Sequence, residues 1–153
     1  MKKLELKIPP VVVVMIFTVL MIVLSNYAPI YIFTISYKGM LASDFAVIGI
    51  IIIIMAVLNF NDAKTTVNPT TPDKTSSIVD TGIYHYSRNP MYLGMLLVLI
   101  GVGIYLSTAS PWVLLPFFVL YMNQYQIKPE EKMLLNMFGD EYQQYQNKVR
   151  RWI

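Results

Sequence analysis

The chain has no cysteine and a single histidine. That removes disulfides, thiolate zinc sites and cysteine nucleophiles, and it leaves too few nitrogen ligands for a protein-held transition metal. Charge is scarce as well: Asp, Glu, Lys and Arg make up 14% of the 153 residues, whereas 56% are hydrophobic. Such a balance places the chain in the membrane class. No internal repeat or low-complexity tract is evident, and there is no glycine-rich strand–helix turn of the dinucleotide-binding type. Nothing points to a nucleic-acid partner, and no obligate protein partner is evident. The length fits a single domain over residues 1–153.

The apolar runs predict an all-α integral membrane protein with about four transmembrane helices, over residues 8–25, 44–60, 90–106 and 111–127. The first run follows a basic head carrying Lys2, Lys3 and Lys7, and Pro9 and Pro10 suit only its start. About 17 residues of helix give roughly 26 Å, a minimal span. A basic head before an apolar run imitates a signal peptide, but Ser25–Ala28 makes a poor cleavage site, so an uncleaved first span is expected. The connector to the second span holds Tyr27, Tyr31, Phe33 and Tyr37, aromatics suited to a membrane boundary, with Pro29 and Gly39 as breakers. Asp44 is the expected cap of the second span. In the third, Gly94 and Gly101 lie seven apart on one face, where a neighbouring helix or a ligand can approach closely. Ser107–Ser110 reads as a tight turn and Pro111–Trp112 as the start of the fourth span.

The polar segments carry the chemistry. Residues 61–80, rich in Thr, Ser, Pro, Asp and Lys, read as a long solvated loop shaped by Thr65, Thr66, Asn68 and Asp80. It leads into Thr81–Gly94, which packs Tyr84, His85, Tyr86, Arg88, Asn89, Pro90 and Tyr92 into a few positions. Asn89–Pro90 is a helix start, with Asn as N-cap and Pro at the first helical position. A helix N-terminus beside Arg88 makes an anion site; an interfacial loop with aromatic and Arg anchors is the plainer alternative. Pro129 marks a further helix start, with Glu130 and Glu131 in its first turn. Leu134, Phe138, Tyr142, Tyr145 and Val149 recur at helical spacing. They predict one amphipathic helix over about 129–149, lying on the membrane surface and ending in Arg150, Arg151 and Trp152.

Four spans put both termini and the 61–89 loop on one side. Lys64, Lys74, Arg88, Lys128, Lys132, Lys148, Arg150 and Arg151 gather there with the basic head, leaving only Lys38 opposite. The positive-inside rule makes the crowded side cytoplasmic, with the candidate active site on it.

Three stretches taken together carry a resemblance: Phe60–Pro69, then Gly82–Gly94, then Glu130–Glu131 with Phe138–Tyr142. In this order they resemble the membrane methyltransferases related to isoprenylcysteine carboxyl methyltransferase and phospholipid methyltransferases, over about the last two-thirds of the chain. The resemblance implies transfer of a methyl group from S-adenosylmethionine, bound between transmembrane helices and a C-terminal segment, to a lipophilic small-molecule or lipid acceptor, with membrane lipids as surroundings. It implies cofactor binding by Tyr84, His85, Arg88, Asn89, Pro90, Tyr92, Gly94, Glu130 and Glu131. Arg88, Arg150 and Arg151 are the implied catalytic residues, the last two as holders of an acidic group on the acceptor.

Methyl transfer from a sulfonium is an in-line displacement that mainly asks the protein to position its reactants and exclude water. Arg88 and the helix start suit the cofactor's carboxylate, and Glu130 or Glu131 suits its ammonium or ribose hydroxyls. The acid pair also suits the helix dipole alone. Arg150 and Arg151 equally suit anionic lipid, at about 1 kcal/mol each. His85 is the one neutral-pH base in the segment, but a carboxylate acceptor needs none. Asn89 stands where the family's commonest motif has His, so no base is inherited there. The C-terminal part of membrane sterol reductases is similar in the same motifs, which keeps a nicotinamide-dependent reductase as an alternative, beside a non-catalytic adaptor.

Overall fold

A computed structural model describes residues 6–62 and 78–153. The loop residues Lys64, Thr65, Thr66, Asn68 and Lys74, like Lys2 and Lys3, lie outside the described residues. Among the described residues six α-helices follow one another: α1 (Pro10–Tyr27), α2 (Lys38–Asp62), α3 (Pro90–Leu106), α4 (Leu114–Met122), α5 (Lys128–Phe138) and α6 (Asp140–Lys148). Among the described residues the sole β feature is an isolated bridge between Ile32 and Thr108.

α1 and α2 are long and apolar enough to cross a membrane, and α3 is apolar but shorter. Their outward faces expose Met15, Val19, Ile50 and Ile54, joined by Phe117 and Leu120 of α4. A continuous apolar exterior of this kind calls for an apolar surrounding. Inside, α1, α3 and α4 share a core of Val13, Met21, Leu99, Phe118 and Met122. Phe17 meets Phe118 edge to face at 5.4 Å.

The closest helix pair is α2 with α3, and glycine makes it possible. A Cβ on Gly94 would stand 2.5 Å from the Gly49 carbonyl oxygen, and one on Gly101 2.7 Å from that of Ala42. The face shared by Gly94 and Gly101 is therefore filled by a helix and not by a ligand.

Three boundaries differ from the sequence expectation. α2 begins at Lys38, not at Asp44, which lies exposed inside the helix and caps nothing. Tyr37 enters the left-handed region (φ 57°) and its carbonyl accepts the Leu41 N–H at 3.1 Å, so the helix starts where that turn sets the chain direction. Gly39 falls in the exposed first turn, where its entropic cost is small. The fourth span does not end before a fresh helix at Pro129: α4 continues through a π turn, Asn123–Ile127, straight into α5, with helical dihedrals throughout. The single C-terminal helix is in fact two, because Gly139 (φ 52°, ψ −123°) takes a conformation outside the helical region and separates α5 from α6. Its apolar stripe is covered by protein, with Tyr142, Tyr145 and Val149 packed against Leu134, Phe138 and Ile78.

A charged cluster at the start of helix α3

The segment leading into α3 is held from both sides. Asn59, near the end of α2, donates to the Thr81 carbonyl at 3.0 Å and lies where a side chain on Gly82 would fall. Gly82, with φ 58°, opens a single 3-10 turn, Gly82–His85. That turn buries Tyr84 edge-on against Phe60 at 5.1 Å. The buried Ser87 hydroxyl accepts the Asn89 N–H at 3.2 Å, and Pro90 opens the helix. Asn89 stands at the N-cap position without capping; its side-chain amide donates to the Arg151 carbonyl at 2.9 Å.

Two carboxylates face this start from the first turn of α5. Glu131 is gripped twice. Arg88 Nη2 donates to its Oε1 at 2.9 Å, while Arg151 donates through Nε to Oε1 at 3.0 Å and through Nη2 to Oε2 at 2.6 Å. The Glu131 and Arg88 side chains are 11% and 10% exposed, and Arg151 is 35% exposed. Glu130 accepts from the Tyr92 hydroxyl at 2.5 Å. Burial pushes the Glu130 carboxyl up to about 7, with the negative Glu131 adding to the rise and the Tyr92 bond opposing it. Charge-assisted bonding to Glu131 lifts Arg151 further above its already high value.

Behind the charges lies a tyrosine layer. Tyr145 donates its hydroxyl to the Tyr84 carbonyl at 2.7 Å. Burial pushes the Tyr145 phenol well above the usual tyrosine range, so the donor of this bond stays protonated at any physiological pH. The tail closes the site: the Arg88 N–H donates to the Arg150 carbonyl at 3.0 Å, and the Trp152 indole N–H to Asn123 Oδ1 at 3.1 Å.

Of the residues expected from sequence, Tyr84, Arg88, Asn89, Pro90, Tyr92, Glu130, Glu131 and Arg151 come together. Three do not. Gly94 packs on α2. The His85 ring is exposed beside Tyr86, on a separate cleft of about 300 Å3 shared with Asp80, Glu141 and Lys148. Arg150 is exposed and reaches the cluster through its carbonyl alone among the bonds described. Sequence reasoning missed Asn123, Ser87 and the buried Gln126. A signal existed for the first and last, since both are amides at the end of an apolar run.

The cluster sets cationic donors beside a recessed carboxyl, an arrangement able to hold a ligand with both an anionic and a cationic group. Arg88 Nε is buried and without a hydrogen-bond partner among the described residues. The recessed Glu130 carboxyl, bonded by the Tyr92 hydroxyl, suits an ammonium or a ribose hydroxyl.

Comparison with known proteins gives one family match and three similar relatives. The family model for phospholipid methyltransferases matches residues 37–141. Over 72 residues the chain is 38% identical to protein-S-isoprenylcysteine O-methyltransferase of Saccharomyces cerevisiae, an alignment covering 47% of this chain and 30% of that enzyme. With the Schizosaccharomyces pombe protein of the same name it shares 32% identity over 77 residues, 50% of this chain and 33% of the other. An uncharacterised Haemophilus influenzae protein is 44% identical over 63 residues, its whole length and 41% of this chain. The chain thus spans about a third of the length of the two yeast enzymes. No solved structure matches it significantly.

Proposed function

Since this chain belongs to the phospholipid methyltransferase family, we propose that it transfers the methyl group of S-adenosylmethionine to a lipophilic acceptor located in the membrane. The observation that carries the reading is the convergence of Arg88, Tyr92, Glu130, Glu131 and Arg151 at one helix start. A buried ion pair roughly breaks even against apolar packing, so stability alone gives no reason to gather five such groups there. Positioning a charged ligand does.

When bound, the cofactor supplies an electrophilic methyl on a sulfonium. Arg88 and the helix start would serve the carboxylate, and Glu130 would take the ammonium or ribose hydroxyls. Glu131 fixes both guanidinium planes, and with them the direction in which Arg88 donates. The tail residues Arg150–Trp152 cover this end of the bundle and limit water. Arg151 keeps part of its surface open and is the residue suited to an acidic group on an acceptor; Arg150 is left to anionic lipid. No general base is assigned to His85, which lies outside the cluster. The apolar helices cross the membrane four times, with both termini and the cluster on the basic, cytoplasmic side. The acceptor, a carboxylate, amine or thiol, enters sideways from the bilayer.

The test is transfer of labelled methyl from S-adenosylmethionine by the protein in lipid nanodiscs, supplied with membrane lipid extract or with a prenylated cysteine. Label in the organic phase with the native protein, and none with Arg88→Ala, is expected. Absence of label with every acceptor class, in protein that is folded, would overturn the reading.

A further inference from the structure

The acids of the cluster owe their direction to an irregularity just upstream. In the π turn the Lys128 N–H donates to the Asn123 carbonyl, five residues back. One extra residue in the turn rotates everything after it by about 100° relative to an unbroken α-helix. Glu130 and Glu131 follow within four residues, so the π turn decides whether they face Arg88 and Tyr92 or another side.

What holds the turn comes from the opposite end of the chain. In a regular helix the Tyr125 carbonyl would accept the N–H of residue 129, but Pro129 has none. The Leu6 N–H takes that place at 3.0 Å. Next to it Gln126, 1% exposed within an apolar interior, donates from Nε2 to the Ile8 carbonyl at 2.7 Å. Asn123, the first residue of the turn, accepts from Trp152. One joint therefore receives the segment before α1, through Leu6 and Ile8, and the tail that carries Arg151.

We propose that the Leu6–Ile8 strap and Gln126 are positioning elements for the cofactor site: they lock the π turn and so aim Glu130 and Glu131 at Arg88, Tyr92 and Arg151. This rests on the methyltransferase reading for its ligand but not for its geometry. In Pro129→Ala the restored N–H competes with Leu6 for the Tyr125 carbonyl and lets the turn relax to α-helix. In Gln126→Leu the bond to Ile8 is lost with little change in volume.

The experiment combines two readouts on detergent-purified full-length protein. The first is S-adenosylhomocysteine affinity by calorimetry; the second, in a Trp112→Phe background, is Trp152 fluorescence, which needs no cofactor. Both variants are expected to weaken affinity at least tenfold and to shift Trp152 emission to the red as the tail loosens. Met21→Ala, which opens a cavity in the core far along α1, is expected to lower thermal stability with affinity and emission unchanged. Native affinity and native emission in both joint variants would overturn the proposal, as would an equal affinity loss in Met21→Ala. If the native protein binds no S-adenosylhomocysteine, the methyltransferase reading fails and the Trp152 readout alone decides: a red shift upholds the joint, and its absence refutes it.

Discussion

The two ends of α3 are built from different chemistry. At its C-terminal end Ser107 turns into the left-handed region (φ 55°) and closes the helix with its N–H on Gly103 and Ile104. Neutral groups do the rest: Ser25 meets Thr108 at 2.8 Å, Phe33 N–H reaches the Ser107 carbonyl at 3.1 Å, and Ala109 N–H reaches Tyr31 at 2.9 Å. Each of these bonds joins the chain's own backbone or hydroxyl groups, although the Trp112 indole nitrogen, packed near Gly103, is buried without a partner among the described residues. At the N-terminal end two arginines and two glutamates crowd around one turn. One end is sealed by neutral bonds; the other gathers opposed charges in a buried cluster.

The comparison can be broken most severely at Glu131. Glu131→Ala leaves Arg88 and Arg151 facing each other without a counter-ion, and breaking such a buried pair costs about 3–5 kcal/mol. Cofactor affinity should fall by about 100-fold or more, and Arg88→Ala should lose affinity while the helices remain folded; calorimetry with circular dichroism separates the two effects. Gly94→Leu attacks the scaffold instead. It drives a side chain into α2, with an expected loss of about 1–3 kcal/mol, read as a lower melting temperature with affinity retained in the folded fraction.

A pH profile sharpens the contrast further. Because burial raises Glu130 to about 7, the protonated form is favoured in the fold, and its contribution to stability is largest below the ordinary carboxylate range and is lost as pH rises through about 7. Holding an ammonium needs the ionised form, so cofactor binding should strengthen over the same rise. Glu130→Gln should flatten both trends. At the sealed end Ser25→Ala should cost about 1 kcal/mol and leave affinity and pH profile untouched.

Much of this was legible in the sequence where local chemistry decides the outcome. α3 runs over Pro90–Leu106 as expected, because Asn–Pro opens it and the apolar run has one natural stop. The cluster residues were named through the family resemblance; local chemistry alone marked Arg88 beside a helix start and left Glu130 and Glu131 equally suited to a helix dipole. What the sequence concealed depends on distant partners. Pro129 looked like a helix start because nothing nearby tells that Leu6 replaces its missing N–H. Gly139 sat within an amphipathic pattern that helical periodicity alone continues through, and only its positive φ breaks it. Arg150 and Arg151 are adjacent and chemically alike; the bond from Asn89 to the Arg151 carbonyl and the double grip on Glu131 separate them. Asn89 was spent on that bond and not on its own helix.

The most direct test of the account is calorimetric titration of the detergent-purified native protein with S-adenosylhomocysteine, and separately with NADPH. The account predicts binding of the first in the micromolar range, lost in Arg88→Ala, and no heat from the second. Binding of NADPH alone, or S-adenosylhomocysteine affinity indifferent to Arg88, would contradict it.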